Sequence, residues 1–269
     1  MMKRLFVEPS VIEVDRIHVY DTHQINHIVN VLRMKIGDPL LVFDGAGKQY
    51  DTEIAEVTEG KSAKAVLRIL RVKPYERYPK TAVTLFQGIP KGQKFDEIVR
   101  KATELGVYRI VPLETARVVA EVRAESFAKK LDRLQRIAEE ASKQSRRGDI
   151  PELLAPMAIA AASKLISGAN TGFDAAILLY ELEDSLTLKQ ALRSEKFAEI
   201  EGKDQSSCKE SGRGLNIAVF IGPEGGFEEA EATQLIRAGA ISVTVGNTIL
   251  RTETAGPAAL AMLLYELEL

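Results

Sequence analysis

The stretch from Ile217 to Phe227, IAVFIGPEGGF, constrains the fold more than any other part of this sequence. Residues 218–222 are apolar without alternation, which predicts a strand buried on both faces, as in a parallel sheet. Pro223 has no N–H with which to extend such a strand, and the glycines that follow Glu224 let a ligand approach the backbone closely. Acidic residues at 228–231 favour a helix start. The sequence therefore predicts a strand, a Gly-rich loop and a helix, the place where open α/β sheets bind ligands.

A second strand-to-helix connection follows closely. Residues 241–245 form the predicted strand, Gly246, Asn247 and Thr248 form the turn, and Ile249–Gly256 (ILRTETAG) leads into a final apolar helix. Two connections this close in sequence are expected to lie side by side, so that their loops share one pocket. Neither loop matches GxGxxG or GxxxxGK[ST], so together they predict a ligand site but no phosphate site.

The rest of the carboxy-terminal part alternates strands with helices. Strands are predicted over residues 81–87, 108–112 and 175–180, and helices over residues 95–105 and 126–144. This order predicts a parallel sheet with helices on both faces, the α/β class. Residues 195–214, which include the one cysteine, Cys208, are rich in charge, serine and glycine and are predicted to form a flexible insertion.

Residues 1–73 have a different pattern. A helix that begins at Asp21 or Thr22 and several short strands predict a small β-barrel. The strands are predicted over residues 39–43, 49–57 and 64–72. The polar segment 73–80, KPYERYPK, contains two prolines and predicts a linker. The chain is therefore expected to have two domains, residues 1–73 and 74–269.

Composition argues against a membrane-spanning, a secreted and a metal-binding protein. No apolar run approaches the ~20 residues that span a bilayer, and the amino terminus lacks the apolar core of a signal peptide. A single cysteine fits a reducing compartment, so a cytoplasmic protein is expected. His23 and His27 have helical i,i+4 spacing, but zinc needs three or four ligands, and the one other histidine is His18. No metal site is predicted.

The net charge of −2 hides an uneven distribution of charge. Residues 74–151 carry sixteen Lys and Arg against eleven Asp and Glu, whereas residues 152–269 carry nine against seventeen. The helix from Ser126 places cations along one stripe, which predicts either a surface that binds RNA phosphates or a solvated helix face. The stripe comprises Lys129, Arg133, Arg136, Lys143 and Arg147, with Arg146 at its end. A second basic cluster in the same domain comprises Lys91, Lys94, Arg100 and Lys101.

The two loop motifs taken together, IGPEGG and VGNTILRTETA, resemble the SPOUT class of methyltransferases. Within that class the chain is similar to the bacterial 16S ribosomal RNA uridine-N3 methyltransferase family. RLFV (4–7) and HIVNVLRMKIGD (27–38) resemble that family's PUA-like, RNA-binding domain, and residues 91–112 and 139–151 resemble its catalytic domain. The resemblance implies a parallel sheet with a carboxy-terminal trefoil knot, S-adenosylmethionine bound in that knot, and a homodimer.

The resemblance also implies roles for individual residues. The implied cofactor-binding residues are Gly222, Pro223, Glu224, Gly225, Gly226, Gly246, Ile249, Leu250, Arg251 and Ala255. The basic stripe, Lys91, Lys94 and Arg4 would contact 16S rRNA, either as naked RNA or in an assembled small subunit. Asn247 and Thr248 stand where the family more often has a basic or proline-containing pair, so they receive no role.

The implied reaction transfers a methyl group to uridine N3, which carries a proton at neutral pH. It needs a base, or a cation that stabilises the uridine anion. Arg251 is the candidate cation, and Glu224 or Glu253 is the candidate base. Arg251 can instead pair with either glutamate, and either glutamate can cap a helix. Three other functions are weighed against this one: ribose 2′-O methylation by another SPOUT enzyme, RNA binding without catalysis, and an unrelated nucleotide-binding α/β enzyme.

The final helix, predicted over residues 254–267, is apolar nearly all round, with almost no charge before Glu266. Such a helix must be buried on nearly all sides. One face can cover the sheet, and the opposite face then needs either other elements of the chain or a second copy. We expect an obligate homodimer formed through the carboxy-terminal domain.

Overall fold

The computed structural model describes residues 3–58, 60, 63–75, 80–117, 124–168, 171–195, 197–198 and 214–268. Part of the predicted linker at 73–80 and most of the predicted insertion at 195–214, with Cys208, lie outside these residues. The chain divides into two compact units, one of residues 1–77 with 142–150, and one of residues 78–141 with 151–269. The segment 142–150 therefore belongs with the amino-terminal residues.

The first unit is a five-stranded sheet with one helix packed on it. Its strands are β1 (Lys3–Phe6), β2 (Arg16–Val19), β3 (Pro39–Phe43), β4 (Lys48–Thr58) and β5 (Lys64–Pro74), in the order β1-β3-β4-β5-β2. Helix α1 (Thr22–Asn26) begins at Asp21, whose Oδ1 accepts a hydrogen bond from the His23 N–H at 2.8 Å. A π-helical turn, His27–Val31, continues it. The predicted helix cap and the three predicted strands are confirmed.

The second unit is built on a seven-stranded sheet. Its strands are β6 (Ala82–Gly88), β7 (Arg109–Glu114), β8 (Glu152–Leu153), β9 (Met157–Ala158), β10 (Ala175–Leu179), β11 (Asn216–Ile221) and β12 (Ile241–Val243). They follow the order β12-β10-β11-β6-β7-β8, with β9 also paired to β7, and all of these pairs are parallel. Strand β11 lies between two neighbours and is buried from Ile217 to Ile221, which confirms the strand predicted from IAVFI.

The two loop-bearing strands do not lie side by side, so that prediction is wrong. Strand β10 pairs with β11 on one side and with β12 on the other. Strand order depends on which edges pair during folding, and closeness in sequence does not determine it. The loop that follows β10 is consequently placed between the two predicted loops.

Helices cover both faces of this sheet, as the alternating pattern predicted. Helices α4 (Ile159–Ile166) and α6 (Glu229–Arg237) share a core with Phe86 and Phe220, whose rings stack at a centroid distance of 4.6 Å. On the other face, Gly256 of helix α7 (Thr252–Glu268) lies against Leu85, and α7 also contacts α2 (Lys94–Glu104). Helix α5 (Leu188–Leu192) and residues 124–141 of helix α3 (Ala124–Ser145) complete the unit.

Helix α7 is buried more deeply in its own chain than a helix lying on a surface. Leu260 and Leu263 are 1% and 0% exposed, because the helix packs against α2, α5, β6 and β11. Met262 and Tyr265, in contrast, are 45% and 68% exposed. One side of the apolar helix is thus covered within the chain, and an apolar outer side remains.

The start of α7 is joined by hydrogen bonds to the ends of two central strands. The Thr252 hydroxyl donates to the Gly222 carbonyl oxygen at 2.7 Å and accepts from the Gln87 side-chain amide at 2.9 Å. Thr252 is 5% exposed and Gln87 is 0% exposed. Because buried polar groups are costly when they are not hydrogen-bonded, these contacts fix where α7 begins.

We expect Thr252→Val to lower the free energy of unfolding by roughly 1–3 kcal/mol, because it leaves buried polar groups without their partner. The matched control is Thr254→Val, the same substitution at an exposed position of the same helix. Urea denaturation of both variants measures the difference. Equal stability of the two variants would show that these hydrogen bonds do not hold the helix.

Candidate ligand-binding site

A cavity of about 760 Å³ opens at the carboxyl edge of the parallel sheet in the second unit. It is formed by the loops that follow β10, β11 and β12, by the first turn of α7, and by Lys94 at the start of α2. The predicted cofactor residues all line it: Gly222, Pro223, Glu224, Gly225, Gly226, Gly246, Ile249, Leu250, Arg251 and Ala255. The prediction that the two Gly-containing loops share one pocket is confirmed.

The loop after β11 folds back tightly and requires glycine at one position. Gly226 has φ +68°, and a Cβ there would overlap the Glu181 carboxylate from the β10 loop. A Cβ at Gly222 would lie 3.0 Å from the Cα of Gly226. These close approaches explain Gly222 and Gly226 without a ligand, and they leave backbone groups lining the cavity.

The carboxylate of Glu224 is held in place from several directions. It accepts hydrogen bonds from the Lys91 N–H at 3.1 and 3.3 Å and from the Lys94 ammonium at 3.0 Å. Burial raises the pKa of Glu224, but hydrogen bonds from its own backbone N–H, from Lys94 and from Lys91 outweigh it, so the pKa is lowered overall. A carboxylate bound in this way is a structural anchor and a weak proton acceptor.

Glu253 stands in a different environment from Glu224. Its side chain is 13% exposed, and its Oε2 is buried without a hydrogen bond among the described residues. The ammonium of Lys94 lies 3.7 Å from that oxygen. Lys94 therefore contacts both candidate bases, and its pKa is raised, chiefly by its hydrogen bond to Glu224.

Arg251 is exposed on the wall of the cavity. In the part of the chain that the structure describes, its guanidinium has no ion-pair partner. The sequence left open a pair between Arg251 and either glutamate; the cation that both glutamates face is Lys94 instead. Arg251 is consequently available to a ligand.

The loop after β10 supplies a wall of the cavity that the sequence did not predict. It brings Tyr180, Glu181, Glu183 and Asp184 to the site. Burial raises the pKa of Tyr180, and nearby carboxylates add to this effect. The pKa of Glu183 is lowered by its hydrogen bond with the Ser185 hydroxyl, so Glu183 shapes the turn. No sequence motif identifies this loop. Only the position of β10 between β11 and β12 could have indicated that the loop lines the cavity.

The loop after β7 is hydrogen-bonded to the loop after β11 and to helix α6, which follows that loop. The Ala116 N–H donates to Glu231 Oε1 at 2.8 Å, and the Arg117 guanidinium donates to the Gly225 carbonyl oxygen. Arg117 was not a predicted site residue, because nothing in the sequence links it to a loop more than a hundred residues away. These bonds fix the outer side of the Gly-rich loop.

The amino-terminal half of the basic stripe lies on α3 in the second unit. Lys129, Arg133 and Arg136 are all exposed and share one side of the helix. Arg133 forms a two-pronged ion pair with Asp96 of α2, with Nη2 2.8 Å from Oδ1. Lys129 and Arg136 are therefore the stripe cations that are better placed for phosphates.

The last two cations of the stripe, Arg146 and Arg147, do not continue the helix face, so that part of the prediction is wrong. Helix α3 ends at Ser145, and Arg146 follows with φ +63°. Arg147 is 6% exposed and pairs with Asp149 at 2.9 Å. A buried, paired guanidinium is a structural element of the first unit. Lys143 remains exposed at the helix end, with its ammonium 5.6 Å from the Phe6 ring centroid.

Arg4 has structural partners within the first unit. Its Nη1 donates to the Arg146 carbonyl oxygen at 3.1 Å, and its guanidinium lies 5.6 Å from the centroid of the Phe43 ring. Arg4 thus binds the 142–150 segment to the amino-terminal sheet. Its predicted contact with RNA stays a prediction.

Across the described ranges, no cluster of three or more His, Cys, Asp or Glu side chains is arranged to hold a metal ion. Those same ranges contain no helix that is both long and apolar enough to cross a bilayer.

The protein combines a small β unit with a parallel α/β unit that has a ligand cavity at the carboxyl edge of its sheet. Its class is therefore that of α/β ligand-binding proteins with an additional β domain. Residues 76–264 match the family described as RNA methyltransferase domain, and residues 20–73 match the RNA methyltransferase PUA domain. The chain belongs to the RNA methyltransferase family. The predicted methyltransferase and PUA-like assignments are thereby confirmed.

Several proteins are similar to this chain over nearly its whole length. "Ribosomal RNA small subunit methyltransferase E" of Bacillus subtilis is 29% identical and covers 100% of this chain and 98% of its own. The protein of that name from Synechocystis is 30% identical over 98% of this chain and 77% of its own. A crystal structure of the Neisseria gonorrhoeae protein of that name, bound to S-adenosylmethionine, is 28% identical, with a TM-score of 0.71 over 98% of both chains.

Proposed function

We propose that this chain transfers the methyl group of S-adenosylmethionine to N3 of a uridine in 16S ribosomal RNA. The observation that carries the proposal is the cavity at the carboxyl edge, which all ten predicted cofactor residues line in a chain of the RNA methyltransferase family. The names of the relatives support a small-subunit RNA substrate, and the structural relative bound to S-adenosylmethionine supports the cofactor. Activity in the cytoplasm, where small subunits assemble, is part of the same proposal.

The cavity suits this cofactor in size and in chemistry. Its volume of about 760 Å³ lies within the range of roughly 300–1,000 Å³ that is usual for small-molecule sites. The Gly222–Gly226 and Gly246–Leu250 loops offer backbone groups and apolar side chains to an adenosyl group. When bound, S-adenosylmethionine supplies an activated methyl group.

The charged residues at the mouth of the cavity have different roles in the proposed reaction. Glu253 accepts the proton from uridine N3, because Glu224 is already bound by Lys94 and the Lys91 N–H. The exposed guanidinium of Arg251 stabilises the negative charge that develops on the uracil ring. The proposal thus gives the role of base to Glu253 and not to Glu224, the two candidates that the sequence left open.

Three further parts of the proposal come from the family resemblance. The chain between β11 and α7 forms a trefoil knot. The hydrogen bonds of the Thr252 hydroxyl with Gln87 and Gly222 hold the end of this segment against the sheet. The amino-terminal unit contributes to RNA binding. A second copy packs on the apolar outer side of α7.

Analysis of nucleosides by mass spectrometry tests the reaction directly. Small subunits from cells lacking this protein, and naked 16S rRNA, are incubated with the protein and isotopically labelled S-adenosylmethionine. We expect labelled 3-methyluridine. Labelled 2′-O-methyluridine would favour another SPOUT activity, and RNA binding without label would favour a non-catalytic module.

We expect Val245→Trp to abolish S-adenosylmethionine binding, because an indole at this half-buried wall residue fills part of the cavity. The matched control is Ile236→Trp on α6, which is 43% exposed and outside the cavity. Isothermal titration calorimetry measures both variants, and circular dichroism checks their folds. Unchanged affinity in a folded Val245→Trp variant would remove the cofactor from this site.

We expect the double variant Lys129→Ala with Arg136→Ala to weaken RNA binding and to reduce the salt slope by roughly one for each phosphate that is no longer neutralised. The comparison is Arg133→Ala, since Arg133 already pairs with Asp96. Filter binding at several salt concentrations measures both. A salt slope equal to that of the wild type in the double variant would make the stripe a solvated helix face.

We expect Tyr265→Arg to convert a homodimer to monomers without unfolding the chain, because Tyr265 is 68% exposed on the outer side of α7. Leu263→Arg is unsuited to this purpose, since Leu263 is buried within the chain and the substitution tests the fold. Light scattering at low micromolar concentration gives the mass. A monodisperse wild-type species of 29.6 kDa would contradict the dimer.

A further inference from the structure

Lys94 was predicted as an RNA phosphate contact, but its surroundings suggest a different role. Its ammonium lies 3.0 Å from Glu224 Oε1 and 3.7 Å from Glu253 Oε2, on the wall of the cavity. The lysine belongs to α2, Glu224 to the loop after β11, and Glu253 to the first turn of α7. One cation thus joins three elements at the point where the chemistry is proposed to occur.

We propose that Lys94 is a positioning residue for methyl transfer, which fixes Glu224 as an anchor and holds the Glu253 carboxylate in place as the proton acceptor. This inference rests on the proposed function, because it assigns a base to the same reaction. It differs from the phosphate role in that Lys94 acts through two carboxylates and not on the RNA backbone.

The two carboxylates depend on Lys94 to different degrees. Glu224 retains the Lys91 N–H as a donor if the ammonium is removed. Glu253 Oε2 is buried and makes no hydrogen bond to the described residues, so the ammonium at 3.7 Å is the nearest compensation for its charge. Loss of Lys94 therefore leaves the Glu253 oxygen without its counter-ion, whereas Glu224 keeps a hydrogen-bond donor.

The charged groups around Glu253 come from three elements. Lys94 approaches from α2, Glu224 from the loop after β11, and Arg251 from the segment before α7. The positive charge of Arg251 also acts on Lys94 and partly offsets the increase in the lysine's pKa. Two cations and two carboxylates thus meet at the cavity mouth. Removal of Lys94 leaves two carboxylates with Arg251 alone, so Glu253, the less well bonded of the two, loses the contact that orients it.

The proposed step balances as follows. The N3–H proton of uridine passes to the Glu253 carboxylate, and the N3 electron pair forms the bond to the methyl carbon. The carbon–sulfur bond of the methyl donor breaks, and its electrons stay on sulfur to give S-adenosylhomocysteine. A Glu253 carboxylate that is no longer held in place accepts the N3 proton less efficiently, so loss of Lys94 acts on the rate of this step.

The test compares Lys94→Met, Lys94→Arg and Lys101→Met in the full chain. Lys101→Met is the matched control, because Lys101 lies on the same helix and pairs with Glu97 at an exposed site. For Lys94→Met we expect kcat to fall on the order of a hundredfold at neutral pH, within the range for acid–base catalysis. KM for RNA stays within about threefold, and Lys94→Arg restores most of the rate.

Two results would overturn the proposal. One is a raised KM and a reduced salt slope in Lys94→Met with kcat unchanged, the signature of a phosphate contact. The other is a reduced kcat that Lys94→Arg does not restore. An inactive wild-type protein would instead count against the proposed function, so the two failures are distinguishable.

A measurement without activity tests the charge arrangement itself. The lowered pKa of Glu224 means that its pairing stabilises the fold above the unfolded-state pKa, and that this stability is lost as the pH falls. Lys94→Met should therefore have a lower melting temperature than Lys101→Met at neutral pH, and the gap should narrow as the pH falls below the ordinary pKa of a glutamate. A gap that is absent at neutral pH, or that persists in acid, would contradict the role of Lys94 as the shared counter-ion.

Discussion

The hydrogen-bonded contact between Thr252, Gly222 and Gln87 is the constraint on which the site depends. It joins the beginning of α7 to the ends of β6 and β11 in a buried part of the sheet edge. Because α7 begins there, Arg251 and Glu253 are carried to the loop that contains Glu224. Without this contact the last helix could still pack on the sheet through Leu260 and Leu263, but the charged groups would not be held together.

The charges at the cavity mouth follow from that placement. One lysine faces two glutamates, and the arginine beside them stays available. Glu224 is bound by backbone and ammonium donors, whereas Glu253 has a buried oxygen without a hydrogen bond to the described residues. Two residues of the same type, a few ångströms apart, are thereby suited to different roles, one structural and one chemical.

Much of this arrangement could be predicted from the sequence where the pattern is local. The apolar run of β11, the Gly-rich loop and the position of α7 follow from periodicity and from glycine and proline chemistry. Strand order could not be predicted in the same way, because pairing between distant segments has no local signature. This is why the β10 loop, with Tyr180 and Glu181, was missed and why β11 and β12 were expected to be neighbours.

The charged residues show the same limit. The helical spacing of Lys129, Arg133 and Arg136 correctly predicted a shared helix face, but the helix end at Ser145 separates Arg147 from them and buries it beside Asp149. Lys94 was assigned to RNA because its neighbours in sequence are basic. Its partners, Glu224 and Glu253, are far away in the chain, and only the fold reveals them.

A crystal structure of this chain with S-adenosylmethionine tests the central claim most directly. The claim is that the β10, β11 and β12 loops hold the cofactor beside the Lys94, Glu224 and Glu253 cluster. We predict density for the cofactor in this cavity, with its methyl group directed to the side where Arg251 and Glu253 lie. Cofactor density at another place, or in this cavity with the methyl group pointing away from these residues, would contradict the account.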